Sequence, residues 1–299
     1  MRYRELGRTG IRVSEISFGS HLKRCNIEDL ERRRRQIEVG IEKGINLFDI
    51  YEHSYEQFVP MSKALEYAKD EVIISLVTVW READEVMDEV EYALKVFRRD
   101  AIDLFRVVLS KKDRDDIEQR LQTLVIAKEQ GKIRAIGGVV HYPEDFLEAL
   151  DRYSDVLEYM MAPASFYAPL LIREDGDLVP AIKKHRIGIV AIKAMGAADQ
   201  KGGYIFKLTP GGRGFEALKK KGLNTGKLAI KYLLQSDVVS SVMPAMNSVE
   251  EILENVQASG DGPLTEEEEA FLQIYREEGD RMFPKILPEQ DYWITPWRT

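Results

Sequence analysis

Four ionisable side chains stand within or at the ends of apolar runs, where chemistry is possible. Asp49 closes Ile45–Asp49, Arg106 interrupts Ile102–Leu109, His141 follows Ile133–Val140, and Lys193 follows Ile187–Ile192. A carboxylate closing an apolar strand must be paired or protonated, because an isolated buried charge is costly. A histidine has the ordinary pKa for proton transfer near neutrality. Tyr51, His53 and Tyr55 follow Asp49 within six residues and add hydroxyl and imidazole groups. Such a set can run acid–base steps, including those of a lyase or isomerase on a sugar-like or acidic substrate. It does not read as a metal site: the sequence holds one cysteine, Cys25, and four scattered histidines, which supply no structural zinc or iron–sulfur pattern.

The elements that must position these groups alternate. Short apolar runs occur at Glu15–Phe18, Ile45–Asp49, Val72–Val77, Ile102–Leu109, Ile133–Val140, Val156–Met161, Ile187–Ile192 and Val238–Met243. Helical patterns lie between them at Leu30–Gly44, Ala83–Arg98, Asp115–Glu129, Pro143–Leu150, Leu178–His185, Gly226–Gln235 and Val249–Ala258. Strands apolar on both faces are strands covered by helices, which predicts a parallel sheet with crossover helices. A single (β/α)8 TIM barrel over residues 1–299 fits the length better than an open sheet. Met1–Val13, with the turn GRTG at 7–10, reads as a hairpin before the first strand. Thr265 and Glu268 form a capping box at the start of a C-terminal helix, after which the chain ends in an irregular aromatic tail with Tyr292, Trp293 and Trp297. Met195–Gly222 is a long glycine-rich loop after the seventh strand, on the face where barrel enzymes keep their sites.

The bulk numbers exclude several classes. A net charge of −8 argues against nucleic acid or an anionic membrane as the main partner, so the expected partner is a small-molecule substrate. The run ERRRR at 31–35 reads as a solvated helix face with salt bridges. One cysteine permits no internal disulfide and points to a reducing cytoplasm. There is no apolar run of about 20 residues and no leader-like N-terminus. Oligomeric state is not legible.

The segments MRYRELGRTGIRVSEISFGS, GINLFD, IDLF, GKIRAIGG, GIVAIKAMG and SVMPAMNSVEEILENV, in that order, resemble the aldo-keto reductase family from end to end. The resemblance implies a barrel closed at the bottom by the hairpin, and nicotinamide-dependent carbonyl or alcohol redox. It implies a tyrosine acid, a lysine that lowers its pKa, an aspartate paired to the lysine and a histidine that orients the carbonyl. Asp49 matches the aspartate. The lysine and histidine positions are Val77 and Val108, and the tyrosine position is Ser54, with Tyr55 one residue on and Tyr51 before it. Asp49 therefore needs a new cation; Lys193 or Arg106 is expected, with His53 a further candidate. His141 replaces a phenylalanine and is a candidate acid–base group.

The resemblance also implies the cofactor contacts. Gly19 and Ser20 match a glycine–threonine pair beside the dinucleotide. Lys193, Ala194, Met195 and Gly196 follow strand seven at its edge. Met161 takes the place of a glutamine, Ile192 that of a stacking aromatic, and Val139 and Val140 those of the amide-binding serine and asparagine. Ala245, Asn247, Glu251, Glu254 and Asn255 fall on the adenosine segment, where Asn247 and Glu251 replace basic residues. The expected cofactor is NAD(H) or NADP(H), weakly held, with NADH favoured because Glu251 repels a 2′-phosphate; no metal is expected. The readings are then a divergent oxidoreductase using Asp49, Tyr55, His141 and Lys193, a non-redox enzyme on the same barrel, or a non-catalytic binding or regulatory barrel.

Overall fold

The computed structural model of the protein describes residues 1–20, 27–51, 58–68, 70–78, 82–109, 116–166, 168–194, 225–244 and 246–282. His53, Tyr55, Met195, Gly196 and Ala245, the glycine-rich loop and the aromatic tail from residue 283 lie outside the described residues. Eight parallel strands run in sequence order around one sheet: β3 (Phe18–Ser20), β4 (Leu47–Ile50), β5 (Ile73–Thr78), β6 (Ile102–Val108), β7 (Ile133–Val139), β8 (Tyr159–Pro163), β9 (Gly188–Ile192) and β10 (Val239–Met243). The first and last meet through an Ile16–Val242 bridge. There the Ser17 amide donates to the Val242 carbonyl at 3.0 Å and the Val242 amide to the Glu15 carbonyl at 2.8 Å. The fold is the expected (β/α)8 barrel.

The helices are α1 (Ile27–Glu42), α2 (Phe58–Leu65), α3 (Val86–Phe97), α4 (Ile117–Glu129), α5 (Pro143–Tyr153), α6 (Leu178–His185), α7 (Thr225–Leu234), α8 (Val249–Asn255) and α9 (Glu266–Met282). The capping box holds: the Glu268 amide donates to Thr265 Oγ1 at 3.2 Å and the Thr265 amide to Glu268 Oε2 at 2.9 Å. The basic run of α1 divides. Arg34 and Arg35 pair with Glu38 in solvent, whereas Arg33 is buried over the Phe18 ring.

Three elements depart from the sequence reading. The first strand begins at Phe18 rather than Glu15, because residues 15–17 are spent on closure and on the Glu15–Arg4 ion pair at 2.8 Å. The sixth barrel strand begins at Tyr159 rather than Val156, because the Val156 and Leu157 amides still bond the Tyr153 carbonyl at the end of α5. Helix α2 was not legible: it spans eight residues and contains Pro60, so its apolar period is short.

Strand alternation sorts the core into two shells. Phe48, Leu76, Phe105, Ile136, Met160 and Ile189 face the helices. Leu47, Val77, Leu104, Val108, Ala135, Val139, Tyr159, Met161, Val190 and Met243 face inward. Leu6, Ile11 and Val13 join the inward set; they come from the hairpin of β1 (Tyr3–Glu5) and β2 (Arg12–Ser14). Arginines latch it. Arg4 donates to the carbonyls of Leu234, Ser236 and Val239, and Arg8 to those of Ser154, Asp155 and Leu157. Backbones then meet without side chains between them, since a Cβ on Gly188 would lie 2.6 Å from the Gly7 amide nitrogen.

Gly188→Ala should therefore lift the hairpin off the barrel floor. A loss of about 1–3 kcal/mol is expected from overpacking, read by denaturant unfolding, together with faster proteolysis within residues 1–14.

Candidate active site

Two inward layers separate at the C-terminal half of the barrel. The upper one holds Val77, Val108, Val139, Met161 and Met243, all buried, with Tyr51 and Ile192 partly buried against them. Val77, Val108, Val139 and Met161 are the positions at which the sequence resemblance placed polar groups. The mouth thus has an apolar floor.

The polar groups lie one layer lower. Asp49 and Arg106 are 5% and 2% exposed and form a two-pronged ion pair. Arg106 Nη2 donates to Asp49 Oδ2 at 3.0 Å, and Nη1 donates to Asp49 Oδ1. Nη1 also donates to Ser75 Oγ at 2.9 Å, and Ser75 Oγ donates to Asp49 Oδ1 at 2.8 Å. A planar guanidinium against a planar carboxylate is the geometry that repays burial of both charges. Of the cations proposed for Asp49, the partner is Arg106; Lys193 stands at the rim.

Tyr159 completes this layer and, like Ser75, was not singled out from sequence. Its ring fills space left by Gly137, where a Cβ would lie 2.3 Å from the ring. Its hydroxyl is fully buried near Ser75 and Arg106 without a hydrogen bond of full geometry. Burial raises its pKa far above the ordinary tyrosine value, against the lowering effect of the Arg106 cation. Strand alternation carried the signal for both residues: Ser75 precedes Val77 by two, and Tyr159 precedes Met161 by two.

The titratable groups at the mouth are His141 and Lys193. Both are half-buried, His141 just after β7 and Lys193 just after β9. Burial, and then the Lys193 charge, lower the His141 pKa to about 3. Burial also lowers the Lys193 pKa. Lys193 adopts a left-handed backbone, φ +62°, and Ala194 behind it is buried.

The remaining predicted contacts follow β3 and β10. Gly19 stands opposite Asp49 in the sheet register and Ser20 opposite Ile50. A Cβ on Gly19 would lie 3.2 Å from Met243 Cγ. After β10, α1 clamps the chain: Arg33 Nη1 donates to the Met246 carbonyl at 3.1 Å, and Gln36 Nε2 to the Asn247 carbonyl at 2.5 Å. Ser248 caps α8 by accepting from the Glu251 amide at 3.2 Å. The Glu251 carboxylate turns back to accept from the Asn247 amide at 2.7 Å. Glu254 is exposed and Asn255 buried. No group of three or more His, Cys, Asp or Glu side chains suited to a metal occurs among the described residues, and no described helix is long and apolar enough to cross a membrane.

Asp49→Asn should leave a buried guanidinium without its counter-charge and cost about 3 kcal/mol in denaturant unfolding. The double variant Asp49→Leu/Arg106→Met should recover much of that loss, since removing both charges removes the desolvation penalty. His141 gives a pH signature. The unfolded chain takes up a proton near 6.5 and the folded chain near 3. Stability should therefore fall as pH drops through that window, because the unfolded state binds the extra proton. His141→Gln should flatten that part of a pH–stability curve.

A profile of the aldo/keto reductase family matches residues 28–275. An uncharacterised oxidoreductase of Bacillus subtilis (strain 168), YqkF, is 23% identical over 309 residues, covering 92% of this chain and 96% of the relative. The L-galactose dehydrogenase of Arabidopsis thaliana is 25% identical over 284 residues, covering 85% and 87%. In solved structures, the holo form of the aldo-keto reductase AKR11C1 from Bacillus halodurans superposes with a TM-score of 0.72 at 24% identity, covering 92% of this chain and 96% of that one. Its apo form gives 0.68. With its barrel matched end to end and most of its length within the family profile, the chain belongs to the aldo/keto reductase family.

Proposed function

We infer that the protein is a single-domain oxidoreductase. It transfers hydride between NAD(H) and a small, sugar-like carbonyl or alcohol substrate at an active site rebuilt around the barrel mouth. The observation that carries this reading is the placing of His141 and Lys193, both half-buried, just after β7 and β9 at the mouth end of the sheet. A bound dinucleotide would supply the hydride; the protein's task is to hold the substrate and manage the proton and the developing alkoxide charge.

His141 is neutral throughout the working range, so it serves as a hydrogen-bond donor to the carbonyl rather than as an acid matched to neutral pH. That is the orienting role that the resemblance gives to the histidine replaced by Val108. Lys193, as a cation of lowered pKa, stabilises and protonates the alkoxide. Tyr55 is the alternative acid. Asp49 acts from below, through Arg106, as a positioning residue.

The residues fit a weakly held dinucleotide lacking a 2′-phosphate. Val139, Val140 and Met161 are buried and offer van der Waals contact but no polar partner to a carboxamide. At the other end, the Glu251 carboxylate occupies the amide of Asn247 and adds negative charge beside exposed Asn247. Gly19, Ser20, Ala194, Met195, Gly196, Ala245, Glu254 and Asn255 are the further proposed contacts. A reducing cytoplasm is the setting that the single cysteine favours.

Titration calorimetry should give NADH at least about tenfold tighter than NADPH, roughly 1.4 kcal/mol. Glu251→Arg should narrow or reverse the difference. Lys193→Met should lower kcat for carbonyl reduction by about 100-fold with KM little changed, as expected when a proton-transfer group is lost. Equal affinity for both dinucleotides, or no binding of either, overturns the cofactor reading.

A further inference from the structure

Three non-glycine residues among those described have positive φ: Arg98, Arg186 and Lys193. The first two are explained by their place. Arg98 caps the end of α3, its amide donating to the Leu94 carbonyl, and Arg186 caps α6, its amide reaching the Ile182 and Lys183 carbonyls. A left-handed residue is the common way to end a helix. Lys193 ends a strand instead, at the C-terminal mouth, where side-chain alternation is broken immediately after inward-facing Ile192. Non-glycine residues held in such conformations concentrate at functional sites. The amine this turn presents is half-buried, and its charge helps to lower the His141 pKa. Around it the floor offers Val139, Met161 and Ile192, none of which carries charge.

We propose that Lys193 is a condensing amine, which forms an iminium with a small aldehyde or ketone entering the barrel mouth. A desolvated lysine in an apolar pocket is the form of the side chain that attacks carbonyl carbon. Burial favours its neutral form. In the step, the Nζ lone pair forms a C–N bond and the carbonyl π pair moves to oxygen. One proton passes from nitrogen to that oxygen, and the second is the one the ammonium gave up to bulk water before attack. Water leaves with the C–O bonding pair, the nitrogen lone pair closes the C=N bond, and the nitrogen keeps one hydrogen and the positive charge. Ketone plus ammonium thus gives iminium plus water, with no oxidant or reductant. His141 is the neutral neighbour able to hydrogen-bond the intermediate hydroxyl. The iminium withdraws electrons from the adjacent carbon, so its C–H bond exchanges and a neighbouring C–C bond weakens, the opening steps of isomerase and lyase chemistry. The proposal draws on the same Lys193 and His141 at the same mouth as the oxidoreductase reading, but it uses Lys193 as a nucleophile and needs neither dinucleotide nor hydride.

The test uses the full chain without dinucleotide, so its outcome is separate from that of the cofactor titration. The protein is incubated at neutral pH with dihydroxyacetone and sodium cyanoborohydride, then mapped by peptide mass. The expected result is one adduct per chain, at Lys193, ahead of exposed lysines such as Lys184. Pentane-2,4-dione should give a conjugated, absorbing adduct in the same protein. Both signals should be lost in Lys193→Arg and kept in Lys184→Arg, and deuterium exchange into the α-position of dihydroxyacetone should follow the same pattern. Labelling spread over surface lysines, or an adduct yield unchanged in Lys193→Arg, overturns the proposal. If Lys193→Arg fails to fold, the wild-type peptide map decides alone.

Discussion

The Asp49–Arg106 ion pair is the interaction around which the upper barrel is arranged. Two opposite charges lie inside a barrel whose other inward residues are mainly aliphatic. They are tolerable there because the fork of the guanidinium matches both carboxylate oxygens and Ser75 bridges the two. The neighbours follow from that choice. Gly137 has no side chain, which lets the Tyr159 ring pack beside the guanidinium. The valines and methionines above act as a lid of low dielectric, which strengthens the attraction and keeps competing water out.

Exchanging a lysine for an arginine as partner of the aspartate changes what the pair can do. A lysine amine titrates and can tune or relay a proton, whereas a guanidinium stays charged at any working pH and has no acceptor. Arg106 also reaches Asp49 from the layer below the apolar floor, where neither residue has more than a few per cent exposure. The pair is therefore fixed electrostatics rather than a proton relay. Proton-active groups have to stand elsewhere, and His141 and Lys193 stand at the rim, each with a pKa moved by burial. Position thus divides the polar residues into an ion-paired set below and, above it, a set whose pKa values burial moves.

Much of this was legible in the sequence, and the parts that were not have physical reasons. Eight apolar runs separated by amphipathic stretches fix the barrel because strands covered on both faces have few other arrangements. The loss of charge at Val77 and Val108 made a new partner for Asp49 necessary, and Arg106, two residues before Val108, was one of the cations on an inward face. The choice between Arg106 and Lys193 was not legible, because it depends on stagger: Arg106 registers opposite Val77 and Gly137, one same-face step along β5 from Ser75, which itself stands opposite Asp49. Tyr159 escaped notice because an aromatic residue in a strand usually means packing. Its meaning comes from Gly137 on the adjacent strand, a pairing that one-dimensional alternation does not report. The frame of β3 slipped because Glu15–Ser17 read as a strand but serve the seam where the sheet closes.

The seam and the hairpin bear on the site in turn. Glu15 binds Arg4, and Arg4 gathers three carbonyls around the end of α7 and the start of β10. The same β10 carries Met243 to the apolar floor and leads directly into the segment clamped by Arg33 and Gln36. One stretch of backbone therefore joins the bottom latch, the floor of the mouth and the capped start of α8. Because the hydrogen bonds of Arg4 to the end of α7 and the start of β10, and those of Arg33 and Gln36, end on backbone carbonyls, side-chain exchange at the mouth leaves them unchanged. That separation explains how a barrel of this family keeps its architecture while Val77, Val108, Val139 and Met161 replace the polar groups the resemblance implies. The hydrogen bonds that hold the barrel shut, from Glu15, Ser17 and Val242, lie outside the set of residues proposed for the chemistry.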